Sequence, residues 1–199
     1  MRLTGTHRYV RVMQVIAIVG LPGSGKSEAA AVAKNLGIPV VTMGDVIRAA
    51  VRERELDVNE DTMGRVATDL RETGGNAAVA KRSIPLLEEY ANDNDIVLVD
   101  GIRGIAEVEQ FEKAYGDNFR LVSIEVPFET RLARIRERGR DPNAESEEDL
   151  RERDARELGY GMGEAMEEAD VTLTNTDSLD AFRTRIREIL AVGTLAEEP

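Results

Sequence analysis

Residues 15–27, Val15-Ile-Ala-Ile-Val-Gly20-Leu21-Pro22-Gly23-Ser24-Gly25-Lys26-Ser27, decide the fold. Five apolar, mostly β-branched residues read as a strand buried on both faces, and the alanine-rich stretch after Ser27 reads as a helix. Between them stands the pattern G-x-x-x-x-G-K-[ST]. A loop at that junction turns successive backbone N–H groups inward while the helix N-terminus adds its positive end. Gly20, Leu21, Pro22, Gly23, Ser24 and Gly25 are therefore expected to cradle phosphate. Lys26 is expected to reach the β and γ oxygens of a nucleoside triphosphate as a mobile point charge, and Ser27 to give its hydroxyl to Mg²⁺.

Outward from this loop, short apolar runs alternate with helical patterns. Strands are predicted at 12–19, 38–42, 96–100, 121–126 and 171–174. Helices are predicted at 25–36, 45–54, 60–71, 76–92, 105–115, 129–138, 146–158 and 179–192. Strands separated by helices argue for βαβ crossovers and a parallel, three-layer α/β domain. One domain is expected over 13–192. Residues 1–12 read as a disordered extension or one added by an early start, because they lack the apolar core and cleavage site of a signal peptide. Residues 193–199 read as a frayed tail.

Composition narrows the chemistry. The chain has 199 residues, 42 % hydrophobic, with 26 basic and 38 acidic side chains and a formal net charge of −12. That charge repels nucleic acid and anionic membranes, so neither is expected as a partner, and a cytoplasmic location is expected. Cysteine is absent, which excludes disulfides, thiolate metal sites and cysteine nucleophiles, and with His7 the sole histidine neither a histidine base nor a His-cluster metal site is expected. Of the basic residues only Lys26, Lys34, Lys81 and Lys113 are lysines. Acid with so little lysine suits a high-salt cytoplasm, and a GC-rich genome would produce the same bias.

Asp100 ends the third strand and can hold Mg²⁺ partly through water, or else cap the next helix. Gly101 follows it where motor-type ATPases usually place a water-polarising glutamate, which argues against a mechanical ATPase. Gly44, Asp45 and Arg48 follow the second strand. Gly44 permits close backbone approach, Arg48 offers a planar fork to an acceptor phosphate, and Asp45 is either an acceptor-binding residue or an N-cap. The insertion at about 45–92 is larger than a simple crossover needs and suits an acceptor-binding unit, with Arg71 and Arg82 as further candidates. Arg103 can reach phosphate in the same crevice as Asp100.

Arg131, Arg134, Arg136, Arg138 and Arg140 stand against a single acid, Glu137, between residues 131 and 140. Phosphoryl transfer needs fixed positive charge on the migrating group, and this cluster with Arg156 is expected to supply it from a short lid at about 138–158. Individually, each arginine reads equally as a solvated helix partner. Asn175, ending the last strand, either bonds an adenine edge or makes a turn.

Taken in order, G-L-P-G-S-G-K-S, M-G-D-V-I-R, L-R-E-T-G-G, V-D-G-I-R, R-G-R-D and R-D-A-R-E-L-G resemble P-loop kinases of the nucleoside-monophosphate-kinase type. They are similar to a mostly archaeal family related to adenylate kinase and dephospho-CoA kinase, over residues 13–190. The resemblance implies a five-stranded sheet in the order 2-3-1-4-5, an acceptor-binding insertion, a lid, and ATP rather than GTP. The 44–48 group is similar to the adenylate kinase element that holds the acceptor. In adenylate kinase the arginine after the strand-ending aspartate comes one residue later than Arg103 does, behind a proline. Residues 169–179 are instead similar to dephospho-CoA kinase. The expectation is transfer of the γ-phosphoryl of Mg-ATP to a small nucleotide or nucleotide-containing acceptor. Two other classes remain open: an ATP-binding regulator or partner-controlled ATPase, and a nucleic-acid end kinase. The global charge and the lack of a basic, aromatic-studded stripe count against the last.

Overall fold

A computed structural model describes residues 13–138 and 146–192, without the side chains of Arg138 and Val192. Its strands are β1 (Gln14–Val19), β2 (Val40–Thr42), β3 (Ile96–Asp100), β4 (Phe119–Glu125) and β5 (Val171–Thr174). They form one parallel sheet in the order β2-β3-β1-β4-β5. Helices α1 (Lys26–Asn35), α2 (Met43–Glu53), α3 (Glu60–Gly74), α4 (Ala78–Tyr90) and α5 (Ile105–Tyr115) precede β4. Helices α6 (Phe128–Arg138), α7 (Glu147–Gly159), α8 (Met162–Glu167) and α9 (Leu179–Val192) complete the described chain. The α/β class and the strand order are as expected.

Three layers follow from the two-residue period of the central strand. Val15, Ala17 and Val19 face a core shared with α2, α3, α4, α5 and α8, while Ile16 and Ile18 face one built by α1 and α9. All five are at most 2 % exposed, as a strand covered on both sides must be. Parallel pairing brings the C-terminal ends of β1, β3 and β2 to one edge, with Ile18 opposite Asp100 and Asp100 opposite Thr42. That edge carries the site.

The element boundaries differ from expectation for local reasons. Helix α1 closes in a Schellman motif, with Ile38 N–H donating to Ala33 O (2.9 Å) and Gly37 N–H to Lys34 O (3.0 Å). Residue 38 is thus part of the helix cap, and pairing with β3 begins with Leu98 N–H donating to Pro39 O at 2.9 Å. Helix α2 starts at Met43 rather than at 45 because Thr42, not Asp45, is the N-cap: Thr42 Oγ1 accepts from Asp45 N–H at 3.0 Å. Asp45 therefore sits in the first turn. Helix α8 was not expected, since one and a half turns carry too little periodicity to register. It is held by buried Met162 and Ala165 and opened by Gly161 at φ 88°.

Candidate functional site

The phosphate loop joins β1 to α1 as its sequence requires. At Gly20 a Cβ would lie 2.6 Å from Ile124 O and 2.8 Å from Ser24 Oγ, so only glycine lets the loop rest on the end of β4. Gly25, at φ 114°, is hemmed in by Asn175 Nδ2, which a Cβ would meet at 2.6 Å. Asn175 is buried, and its amide donates to Ser24 O at 2.8 Å. Arg134 in turn donates to Asn175 O at 2.9 Å. The asparagine is therefore a strut beneath the loop, with an amide N–H given to the loop's own backbone.

Lys26 Nζ donates to Gly20 O and, at 3.3 Å, to Leu21 O. Burial lowers its pKa, Asp100 and Glu157 oppose that shift, and Arg153 and Arg103 add to it. Four charged groups, from β3, the β3–α5 loop and α7, thus act on one ammonium. Burial raises the pKa of Asp100 against the pull of Lys26 and of the Gly101 N–H. Asp100 Oδ1 is buried with no hydrogen-bond partner, which leaves a hard oxygen free beside the lysine. Mg²⁺ fits this donor set, since it usually takes one or two carboxylates together with phosphate oxygens and waters. Among the described residues no group of three or more His, Cys, Asp or Glu side chains forms a denser metal cage.

The arginines expected to act together are divided. Arg131 is 3 % exposed and binds Asp154 through both terminal nitrogens, at 2.8 and 2.6 Å, while also donating to Pro22 O at 3.0 Å. Its charge is neutralised inside the protein, so it leaves the group proposed to face substrate. Arg156 lies on the exposed side of α7, and the face turned inward carries Leu150, Asp154 and Glu157 at helical spacing. Arg153 is expected with Arg151 and Arg156 on the lid helix, whereas no motif marks Glu157. The signal available was the i, i+4, i+7 stripe that begins at Leu150. Arg140 lies outside the described residues, as do residues 139–145 of the expected lid.

Of the residues expected to hold an acceptor, the structure brings together Arg71 and Arg103, separated by 32 residues in sequence. They line a polar cavity of about 130 Å³ with Asn76, Glu107 and Tyr160. Glu107 is 2 % exposed; its Oε2 accepts from Arg103 N–H at 2.8 Å, and its Oε1 lies 3.6 Å from Arg71 Nη2. Burial raises its pKa, and the Arg103 N–H and Arg71 counter part of that shift. Arg71 also stands over the Tyr160 ring, 5.6 Å from its centroid. Gly104 lets the β3–α5 loop touch the Tyr160 carbonyl, which any Cβ would strike. Asp45 and Arg48 do not join this cavity's wall. They pair with each other, Arg48 Nη2 to Asp45 Oδ1 at 2.5 Å, above the end of β2. For Asp45, burial that would raise the pKa is outweighed by the Thr42 hydroxyl and Arg48, which hold it low. Arg82 is drawn away entirely, to Glu53 on the surface.

Among solved structures the chain is similar to TT1252 from Thermus thermophilus, with a TM-score of 0.64 and 22 % identity, covering 93 % of this chain and 99 % of that one. It is also similar to shikimate kinase from Bacteroides thetaiotaomicron, with a TM-score of 0.59 and 18 % identity over 90 % of this chain and 99 % of that one. Dephospho-CoA kinase from Campylobacter jejuni gives a TM-score of 0.58 and 15 % identity over 89 % of this chain and 95 % of that one. At these identities the likeness is one of fold, that of a P-loop kinase-like domain. Among the described residues no helix is long and apolar enough to cross a membrane.

Sequence relatives are closer. A UPF0200/UPF0201 protein of Archaeoglobus fulgidus is 51 % identical over 89 % of this chain, which spans only 55 % of that relative's length. A UPF0200 protein of Methanosarcina mazei is 48 % identical over 90 % of this chain and 95 % of its own length. The family model described as "AAA domain" matches residues 19–151. With its phosphate loop and parallel sheet in place, the chain belongs to the UPF0200 family, on an AAA-type P-loop domain.

Proposed function

We propose that this chain is a Mg-ATP-dependent phosphotransferase that moves the γ-phosphoryl group to a small nucleotide or nucleotide-containing acceptor. The observation that carries the reading is the pair of sites on one sheet edge. A phosphate loop with Lys26 and a partner-free Asp100 oxygen stands on one side, and a small polar cavity with Arg71 and Arg103 on the other. A simple ATPase has no use for the second. The shikimate kinase and dephospho-CoA kinase structures share the fold and lend it support.

In this reading the amides of residues 20–27 and Lys26 hold the β and γ phosphates. Ser27 and Asp100 hold Mg²⁺, partly through water, and the ion when bound neutralises charge developing between the β and γ phosphates. Arg134, Arg138, Arg140 and Arg156, joined by Arg153, supply positive charge around the nucleotide and the migrating group. Gly44, Asp45, Arg48, Arg71 and Arg103 hold the acceptor, and Asn175 keeps the loop in shape. Such transfer is positioning and electrostatics more than covalent chemistry, which suits a site with neither cysteine nor histidine. The reaction belongs in the cytoplasm, where Mg-ATP is supplied.

The test is ADP release from Mg-ATP with AMP, CMP, dephospho-CoA or shikimate added in turn. Release that depends on one of them, and disappears in Lys26→Ala, is expected. Slow hydrolysis indifferent to every acceptor but quickened by a protein partner would return the chain to the regulatory ATPase reading.

A further inference from the structure

Glu157 on α7 is a largely buried carboxylate beside the phosphate-loop lysine with no role in holding ATP or Mg²⁺. Asp154 and Leu150, three and seven residues before it on α7, are buried against the body of the protein and fix which way it points. Its side chain is 14 % exposed, and Oε1 lies 3.6 Å from Arg103 Nη1. Oε2 is buried and has no hydrogen-bond partner. An ionised carboxylate can only accept hydrogen bonds, so the partner it lacks is a donor. A buried carboxylate oxygen left without a donor is costly, so this one calls for a donor.

The possible occupants differ in what they offer. Phosphate oxygens of ATP, or of an acceptor about to be phosphorylated on its phosphate, are acceptors and anions. At Glu157 Oε2 they gain no bond and meet like charge. A hydroxyl offers the missing proton. We propose that the acceptor presents a hydroxyl, not a phosphate, to the γ-phosphoryl group, and that Glu157 Oε2 receives the hydroxyl proton. This rests on the phosphotransferase reading above. The acceptor oxygen forms a bond to the γ phosphorus as its proton passes to Glu157. The bond from the γ phosphorus to the bridging oxygen breaks, and that oxygen keeps the electron pair on ADP. The proton leaves Glu157 for solvent with the product. Arg71 and Arg103 suit an anionic handle elsewhere on the acceptor, either a carboxylate or a phosphate, sized to the cavity of about 130 Å³.

The bond type of the product decides the matter. The full chain is incubated with Mg-ATP and, separately, AMP, CMP, dephospho-CoA and shikimate, and the products are read by ³¹P NMR. The set separates phosphate handles from a carboxylate one. A phosphomonoester is expected. With the productive acceptor, Glu157→Gln should lower kcat by about 10²–10⁴-fold with little change in acceptor KM, and Glu157→Asp should recover part of the loss. A phosphoanhydride product overturns this inference and leaves the phosphotransferase standing. A raised KM at unchanged kcat in Glu157→Gln removes Glu157 from the chemistry. No phosphorylated organic product of either kind overturns both readings.

Discussion

Arg131 and Asp154 form a buried, two-pronged ion pair across 23 residues, and the same guanidinium holds the carbonyl of Pro22 in the phosphate loop. Helix α7 is thereby fastened to the loop rather than hung beside it. The same side chain stacks over Phe128, 5.5 Å from the ring centroid, and Arg151 of α7 covers that ring at 4.3 Å. Breaking a buried pair from one side strands a charge. Asp154→Asn or Arg131→Met should each cost about 3–5 kcal/mol, while Arg131→Met with Asp154→Leu should cost less than either alone. Urea midpoints at constant m-value provide the check.

The strut under the loop gives a second expectation. Replacing Asn175 with alanine leaves Ser24 O buried without its donor, a loss of about 1–3 kcal/mol. Asn175→Asp should be worse, because it sets a carboxylate oxygen against that carbonyl. Gly25→Ala forces a Cβ into Asn175 at a backbone angle reserved for glycine. All three should weaken Mg-ATP binding in equilibrium titration, and Gly25→Ala should weaken it most.

At the end of β2, beside the proposed acceptor residues, Thr42 both caps α2 and donates to Asp45 Oδ2 at 2.5 Å, which sets the carboxylate that orients Arg48. Thr42→Val keeps the shape and removes both bonds. It should cost about 0.5–2 kcal/mol of stability and raise the acceptor KM, while Thr42→Ser should behave like the parent. Steady-state kinetics together with thermal unfolding separates the two effects.

Glu107 predicts a pH effect of definite sign. Burial lifts its pKa in the folded protein above the ordinary glutamate range. The folded state thus holds a proton that the unfolded chain has released, and stability falls as the pH rises from that range through the folded value. Glu107→Gln removes the titration and should flatten this limb of the stability curve. Chemical denaturation across mildly acid to neutral pH measures it.

The sequence made the sheet, the phosphate loop and Asp100 legible, because each rests on a local pattern: buried β-branched runs, and a glycine-lysine-serine spacing that only a strand-to-helix turn fills. The arginines of α6 were harder. Residues 131 and 134 share one composition and one helix, and only the partner 23 residues on shows that Arg131 is internal while Arg134 braces Asn175. Arg156 stands out as a cation but is exposed on α7, while Arg153 and Glu157 act electrostatically on Lys26. The cavity joining Arg71 to Arg103 depends on α3, the β3–α5 loop and the α7–α8 turn meeting, which no spacing along the chain records. The net charge of −12 is likewise no guide to the site, where Lys26, Arg103 and Arg153 gather around two carboxylates.

Phosphoryl transfer itself is followed with ATP carrying ³²P in its γ-phosphoryl group. With Mg²⁺ and the acceptor panel present, label is expected in a small organic phosphate, formed in step with ADP and lost in Lys26→Ala. Label that appears only as inorganic phosphate, at a rate unaffected by any acceptor, would contradict it.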